Sequence, residues 1–395
     1  MMLQTIKVLL TNVTATKLVY APMDQIKGAG LNDIIKAHQE MTGVGGGCYY
    51  FFDEAHHDPD WAVALKALAD RRTMDICCAT GSSATLLLKG SSESGIGRFN
   101  FLSVPPLSFR EYAKASGIVV GRALEFEGLD SLADQDVQTT RLLNELEPLF
   151  NRFLLWGGFP GQFSREFNLK EWHDFLRQNY VSLTLYKDIL VHYEIRDPKV
   201  LEDMLLLIAE KASLPLSYDT VAQAFNQSIH TTQEYFGHLV CAGLVIRCDF
   251  STKNTMKRSR RNKKFYVSDT GFNAALSYAE VMDDAMAGRC VETAVAASLH
   301  EHLKSSTGLL YPSLEYWRNK YEVDFVIERT RSPLPIEVKY ANTIDAKDLM
   351  GILELMDERK MKKGVVVTKD TLETRKLDGK VLTLIPARLF LASIE

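Results

Sequence analysis

Apolar residues follow two spacings along this 395-residue chain, and the spacing changes where the candidate chemistry changes. Residues 17–21 (Lys-Leu-Val-Tyr-Ala) predict a short strand. Residues 31–41 recur at helical spacing and run into the glycines of 43–47, which read as a C-terminal stop. Tyr49-Tyr50-Phe51-Phe52 is apolar on both faces, as a buried strand of a parallel sheet is. Trp61, Leu65 and Leu68 return to helical spacing. Residues 74–79 predict a further strand that runs into Thr80-Gly81-Ser82-Ser83. Alternation of this kind predicts an α/β core over residues 1–115.

Residues 116–200 read as a helical region, broken where Gly157-Gly158-Phe159-Pro160 turns the chain. Three short helical stretches follow at 203–212, 219–225 and 231–242, then a strand at 244–248, a polar excursion and a second strand at 264–268. That order over 201–275 is the layout of a winged helix, with 231–242 as its third helix. The excursion holds Lys253, Lys257, Arg258, Arg260, Arg261, Lys263 and Lys264, the one dense cationic cluster of the sequence. At a wing tip such a cluster meets phosphates; a solvated charged loop is the other reading.

From 285 onward an amphipathic helix (291–303) carries Glu292, and two strand-like runs follow. Val323, Phe325 and Ile327 are expected to share one face, as are Ile336 and Val338, which puts Asp324, Glu337 and Lys339 on the other. A turn centred on Thr330-Arg331 sets Asp324 opposite Glu337. Two carboxylates that close repel unless a divalent cation lies between them. A lysine two residues on would hold a scissile phosphate or its attacking water. With the strand at 364–368, this is the constellation of PD-(D/E)xK nucleases. Asp324, Glu337 and Glu292 would be magnesium ligands, with Glu337 and Lys339 catalytic. An ordinary charged hairpin face is the alternative.

The run 49–52 ends in Asp53-Glu54-Ala55-His56. An apolar strand ending in Asp-Glu is how a P-loop nucleotidase presents its Walker B pair, the Asp orienting magnesium and the Glu polarising water. No G-x-x-x-x-G-K-[ST] occurs in the 395 residues, so the loop that holds phosphates is missing from them. The glycines of 43–47 follow a helix and precede a strand, the reverse of the required order. A literal DEAH helicase box fails on the same absence.

Composition acts mainly by exclusion. The chain is 46% hydrophobic and 24% charged, with a net charge of -4; this is a soluble globular balance without a global basic field. Its pI is about 6.2, so any nucleic-acid contact must be local. Six cysteines without a C-x-x-C pair read as buried thiols of a reducing compartment. No apolar stretch approaches the ~20 residues of a membrane span and no signal peptide is legible, so the expectation is a cytoplasmic protein without membrane contact.

Taken in order, several motifs carry a resemblance. They are Phe51-Phe52-Asp53-Glu54, Trp61 with Leu65-Lys66-Ala67-Leu68, Thr80-Gly81-Ser82-Ser83, and Gly97-Arg98 with Pro106-Leu107-Ser108-Phe109-Arg110-Glu111-Tyr112. Gly157-Gly158-Phe159-Pro160, Tyr186-Lys187-Asp188-Ile189, Phe265-Tyr266-Val267-Ser268-Asp269-Thr270-Gly271 and Trp317…Asp324…Glu337-Val338-Lys339 follow. The chain resembles the bacterial and archaeal AAA-type ATPases whose C-terminal region is known as DUF4143. That resemblance implies an α/β multidomain fold: an incomplete P-loop (AAA-like) core at 1–115, a helical segment at 116–200, a winged helix at 201–275 and a restriction-endonuclease-like α/β domain at 285–395. It implies Asp53 and Glu54 as the Walker B pair, Ser82 or Ser83 near a sensor position beside the nucleotide, and Arg98 as an arginine finger. Members normally begin with a strand, a G-x-x-x-x-G-K-[ST] loop and a helix, and this chain is expected to start after them. The expected function is a DNA-associated ATPase-family protein with impaired nucleotide hydrolysis. A magnesium-dependent nuclease or a non-catalytic scaffold or regulator are the alternatives. Magnesium is the expected cofactor, with ATP weakened by the missing loop. DNA is the expected partner, through Lys257, Arg258, Arg260, Arg261 and Lys263, and an oligomer is compatible with the family.

Overall fold

Three parallel strands organise the first of two compact units, Met1–Ser103. The computed structural model describes residues 1–71, 73–81, 99–133, 137–190, 193, 195–279, 281–307, 312–328 and 333–394. Helix α1 (Met2–Leu9) buries none of its side chains. Strands β1 (Leu18–Pro22), β2 (Tyr49–Asp53) and β3 (Ile76–Ala79) pair in that order, Tyr20 opposite Phe51 and Phe51 opposite Cys78. Helices α2 (Leu31–Thr42) and α3 (Trp61–Asp70) lay Leu31, Ile35, Trp61, Leu65 and Leu68 against Tyr50 and Phe52. The predicted stop is real: Gly43 is left-handed (φ 66°) and its N–H donates to the Gln39 carbonyl. A residue without Cβ adopts that conformation most cheaply.

The second unit, Val104–Glu395, begins with α4 (Phe109–Ala115), α5 (Val137–Trp156) and α6 (Leu169–Leu176), the last continuing through π-helical turns to Ile189. In this division α4, which the sequence grouped with the first core, belongs to the second unit. Arg110 of α4 is buried and donates to the carbonyls of Ala392 and Gly121. Where α5 ends, the Gly158 N–H donates to the Asp269 carboxylate at 2.7 Å, whose other oxygen accepts from the Gly271 N–H at 2.9 Å. A Cβ on Gly158 would stand 2.1 Å from the Leu107 carbonyl oxygen. The Gly-Gly break is thus a close backbone approach as well as a turn.

Next come α7 (Pro198–Glu210), α8 (Tyr218–Ala224), α9 (Ile229–Cys241), β4 (Val245–Phe250), α10 (Thr255–Arg260) and β5 (Lys264–Val267). Leu216, between α7 and α8, bridges antiparallel to Lys263. The excursion between β4 and β5 holds the short helix α10, which Asn254 caps by accepting the Lys257 N–H. Helices α11 (Thr270–Leu276) and α12 (Asp284–Thr307) lead to β6 (Leu314–Arg318), β7 (Glu322–Val323), β8 (Phe325–Ile327) and β9 (Leu334–Lys339). The chain closes with α13 (Met350–Glu358), β10 (Lys363–Thr368), β11 (Glu373–Leu377), β12 (Lys380–Pro386) and α14 (Ala387–Ser393).

One sheet runs β11-β12-β10-β9-β8, with β9, β10 and β12 parallel. The other runs β5-β4-β6-β7, where β4 pairs antiparallel with β5 and parallel with β6, Phe250 opposite Tyr316. The hairpin of 201–275 therefore shares a sheet with the 285–395 segment. Among the described residues no helix is long and apolar enough to cross a membrane.

The sequence places Val323, Phe325 and Ile327 on one face, and the structure corrects this. β7 pairs with β6 while β8 pairs with β9, so the chain changes sheets at Asp324. Val323 packs with Trp317, Val326 and Leu355, whereas Phe325 and Ile327 pack with Ile336 and Val338. Two-residue periodicity holds only within one strand, and a strand that switches sheets resets it. The register nevertheless agrees with the expectation: Phe325 opposes Ile336 and Ile327 opposes Leu334. Asp324 immediately precedes that ladder, and the expected turn at Thr330-Arg331 lies outside the described residues.

Candidate functional site

Two groups of carboxylates are built by different means. In the first unit the carboxyl ends of the three parallel strands lie side by side, and each contributes one group. β2 ends in Asp53, whose Oδ1 accepts the Thr80 hydroxyl at 2.5 Å and whose Oδ2 accepts the Tyr20 phenol at 2.9 Å. Thr80, just past β3, also accepts the Glu54 N–H at 3.1 Å. The Asp53 contact pushes the Tyr20 phenol up from its ordinary value. Glu54 is left-handed (φ 51°), a strained state for a non-glycine residue, and its carboxylate meets His56 Nδ1 at 3.2 Å.

Only neutral hydroxyls donate to the Asp53 carboxylate in these contacts, so lone pairs remain for the hydration shell of a magnesium ion. Asp53 is therefore compatible with a hydrated magnesium ion. Among the described residues no group of three or more His, Cys, Asp or Glu side chains is arranged to hold a metal, so any ion here depends on water and phosphate oxygens. Ser82 and Arg98 lie outside the described residues. Thr80 is the partner that sequence reasoning passed over for its neighbours Ser82 and Ser83. Its position directly after the strand beside Asp53 was the available signal.

The second group lies where α12, β5, the β7–β8 junction and β9 meet. Lys264, at the start of β5, is fully buried. Its Nζ lies 2.7 Å from Glu322 Oε1, 2.9 Å from Asp324 Oδ1 and 3.3 Å from Glu292 Oε1. Glu292 also accepts the Tyr266 phenol at 2.7 Å, and Asp324 Oδ2 accepts the Val338 N–H at 2.9 Å. Lys339 pairs with Glu337 at 2.6 Å, leaving Glu337 Oε2 buried without a partner among the described residues. Of the three residues of this cluster predicted as magnesium ligands, Glu292 and Asp324 thus meet the Lys264 ammonium and Glu337 meets that of Lys339. Lys264 had been counted in the basic excursion.

Electrostatics follow from that arrangement. Burial, and then the Asp324 charge, push the Glu337 carboxyl well up against the pull of Lys339. Burial and the same neighbour push Glu292 up. Asp324 goes the other way: burial is outweighed by Lys264, Lys339 and the Val338 amide, which hold it below its usual value. Burial acts to lower Lys264, yet Glu292, Tyr266, Asp324 and Glu322 raise it well above normal. The expected magnesium does not fit these residues as they stand. Both Asp324 oxygens are engaged, and a divalent ion ~4 Å from the ammonium would be repelled by about 8 kcal/mol at an effective dielectric of about 20. No chemical step is derived through a metal here.

The basic excursion separates into two kinds of cation. Lys263 is buried and donates to the carbonyls of Arg258 (2.5 Å), Arg261 (2.6 Å) and Ser259 (3.2 Å), which corrects its expected place on a nucleic-acid surface. Arg258 pairs with Glu315 at 2.9 Å and donates to the Thr252 carbonyl. Lys253, Lys257, Arg260 and Arg261 are exposed, with Lys257 and Arg261 flanking the Phe250 ring at 5.6 and 5.1 Å.

Three stretches of the chain match known family models. Residues 1–113 match the family model of an AAA domain, and residues 287–390 match DUF4143, a domain of unknown function. Between them, residues 147–283 match a further domain of unknown function, DUF8612, a division that sequence reasoning did not make. An uncharacterized protein of Haemophilus influenzae is 22% identical over 339 residues, covering 84% of this chain and 74% of that protein. Uncharacterized proteins of Mycobacterium bovis and Mycobacterium tuberculosis are each 25% identical over 310 residues, covering 77% of this chain and 60% of theirs. The chain thus spans about three fifths of the mycobacterial relatives. It combines an AAA-type domain with a C-terminal DUF4143 region, as the ordered motifs imply.

Proposed function

We propose, from an AAA-type domain joined to a DUF4143 region, that this chain is a DNA-associated protein of ATPase type whose 395 residues do not turn over ATP by themselves. The observation that carries the reading is Thr80 fixing Asp53 and Glu54 at the strand ends, in a sequence without G-x-x-x-x-G-K-[ST]. Asp53 would hold a hydrated magnesium ion, which neutralises phosphate charge when bound. Glu54 would orient the attacking water. What anchors a triphosphate, a cradle of backbone amides and a lysine, is missing from this sequence. Steady-state turnover is expected below ~0.1 per second, under the ordinary enzyme range, and unchanged in Glu54→Gln. Faster turnover that Glu54→Gln abolishes would overturn the reading.

The order α7, Leu216 bridge, α8, α9, β4, β5 supports a winged-helix reading of 201–275. The order α12, β6, β8, β9, α13, β10 supports a restriction-endonuclease-like reading of the C-terminal segment. Nucleic acid is assigned to Lys253, Lys257, Arg260 and Arg261, since Lys263 and Lys264 are internal. Neutralising Lys257, Arg260 and Arg261 together is expected to weaken DNA binding alike on unrelated sequences. It should also flatten the dependence of log K on log salt by about 2–3 units, near 0.9 per lost phosphate contact. An unchanged slope would leave the excursion a solvated loop.

A further inference from the structure

We propose that Lys264 is the resident cation of the C-terminal carboxylate cluster, so that the position a nuclease gives to a divalent metal is filled by the protein's own ammonium group. The group arrives from β5, 28 residues before Glu292 and 60 before Asp324, and it meets three carboxylates at 2.7–3.3 Å. An ammonium group carries three protons and no acceptor, and here each proton has one carboxylate partner.

Charge balance argues the same way. Glu292, Glu322, Asp324 and Glu337 face Lys264 and Lys339, and Arg318 stands 3.6 Å from Glu322. With one carboxyl protonated and the exposed Arg318 counted at the rim, three anions meet three cations without a metal. Glu337 Oε2 is the natural seat of that proton, being buried with no partner among the described residues. The magnesium coordination shell, near-octahedral and fed by several free oxygens, has no equivalent here.

Lys264 also has a mechanical role. β5 pairs with β4, β4 pairs with β6, and Asp324 marks the point where the chain leaves that sheet for β8. One ammonium therefore ties the hairpin to the junction between the two sheets. Removing it uncouples β5 from α12 and from the β7–β8 corner, in addition to leaving anions unpaired.

The test uses the full chain carrying Asp53→Asn, so that the first unit contributes no metal site, and titrates Mn2+ by calorimetry and by thermal shift. No binding and no rise in Tm are expected with Lys264 in place. Lys264→Ala is expected to acquire a Mn2+ site, with a rise of several degrees in Tm that disappears when Glu337→Gln is added. Glu337→Gln copies the protonated state, so it removes a metal ligand while keeping the cluster neutral and folded. Mn2+ binding to the Lys264-containing chain that Glu337→Gln abolishes would overturn the proposal, as would an unaltered Tm in metal-free Lys264→Ala. Should Lys264→Ala not fold, comparison of the Lys264-containing chain with Glu337→Gln decides alone.

Discussion

The two carboxylate groups are made of the same residue types and are opposite in electrostatic character. Asp53 and Glu54 end a parallel strand, are half-buried, and their carboxylates are held by hydroxyl and imidazole groups of their own unit. Asp324, Glu337 and Glu292 are buried and are held by two ammonium groups. Neutral donors fix a carboxylate and leave its charge available to a ligand, whereas an ammonium group at under 3 Å consumes it. Acidic residues in a recognised order therefore do not define a metal site; the nearest cation does. A third case lies between them. Asp269 is buried with no lysine or arginine ion pair among the described residues, and backbone amides alone hold it.

Lys264→Met offers the sharpest break in this comparison. It strands the carboxylates of a buried cluster, and a loss of about 3–5 kcal/mol is expected in urea unfolding at pH 7. The loss should shrink in acid, as the carboxylates protonate. A loss under ~1 kcal/mol would mean that the cluster relaxes freely and that the two groups are alike.

Asp269→Asn comes next, at about 1–3 kcal/mol, because the side-chain amide turns a donor toward amide donors that need acceptors. Burial pushes the Asp269 carboxyl up to about 6 from 3.8 against the amides that hold it down. A folded value above the unfolded one makes its contribution greatest below pH ~4 and lost as the pH rises through about 6. The parent should therefore exceed Asp269→Asn by more at pH 4 than at pH 7. The reverse order in chemical unfolding would show the amides outweighing burial.

Thr80→Val keeps the β-branched shape and removes the hydroxyl that bridges Asp53 and Glu54. A cost of about 1 kcal/mol is expected, together with a lowered phenol pKa of Tyr20 by ultraviolet titration as Asp53 is freed. An unmoved Tyr20 titration would separate the two hydroxyl contacts. The smallest effect belongs to Glu337→Gln, within ~0.5 kcal/mol at pH 7, since burial and the Asp324 charge favour the neutral form that Gln copies. A loss above ~2 kcal/mol would show Glu337 ionised and the cluster in need of another cation.

Much of the fold was legible in the chain. The helices expected at 31–41, 203–212, 219–225 and 231–242, the buried strand at 49–52 and the glycine stop after the first helix follow from spacing and from glycine chemistry, and each has a counterpart in the structure. So does the register that sets Phe325 opposite Ile336. The common face for Val323 and Phe325 was not, because the change of sheet at Asp324 leaves no mark in the hydrophobic alternation. Lys264 and Lys263 were misread for a related reason. A lysine's charge is visible in sequence, but whether its ammonium points to solvent or inward depends on partners tens of residues away.

What the sequence by itself determined is therefore the local and the ordered: the element types, the Asp53-Glu54 strand end, the missing phosphate loop and the motif order shared with an AAA domain and a DUF4143 region. These depend on neighbours within a turn or a strand, where backbone geometry and burial act directly. Only the tertiary structure decided which carboxylates keep their charge. It brought Thr80 and Tyr20 to Asp53, and Lys264 to Glu292, Glu322 and Asp324, because charge compensation depends on distance in space and a sequence records distance only along the chain.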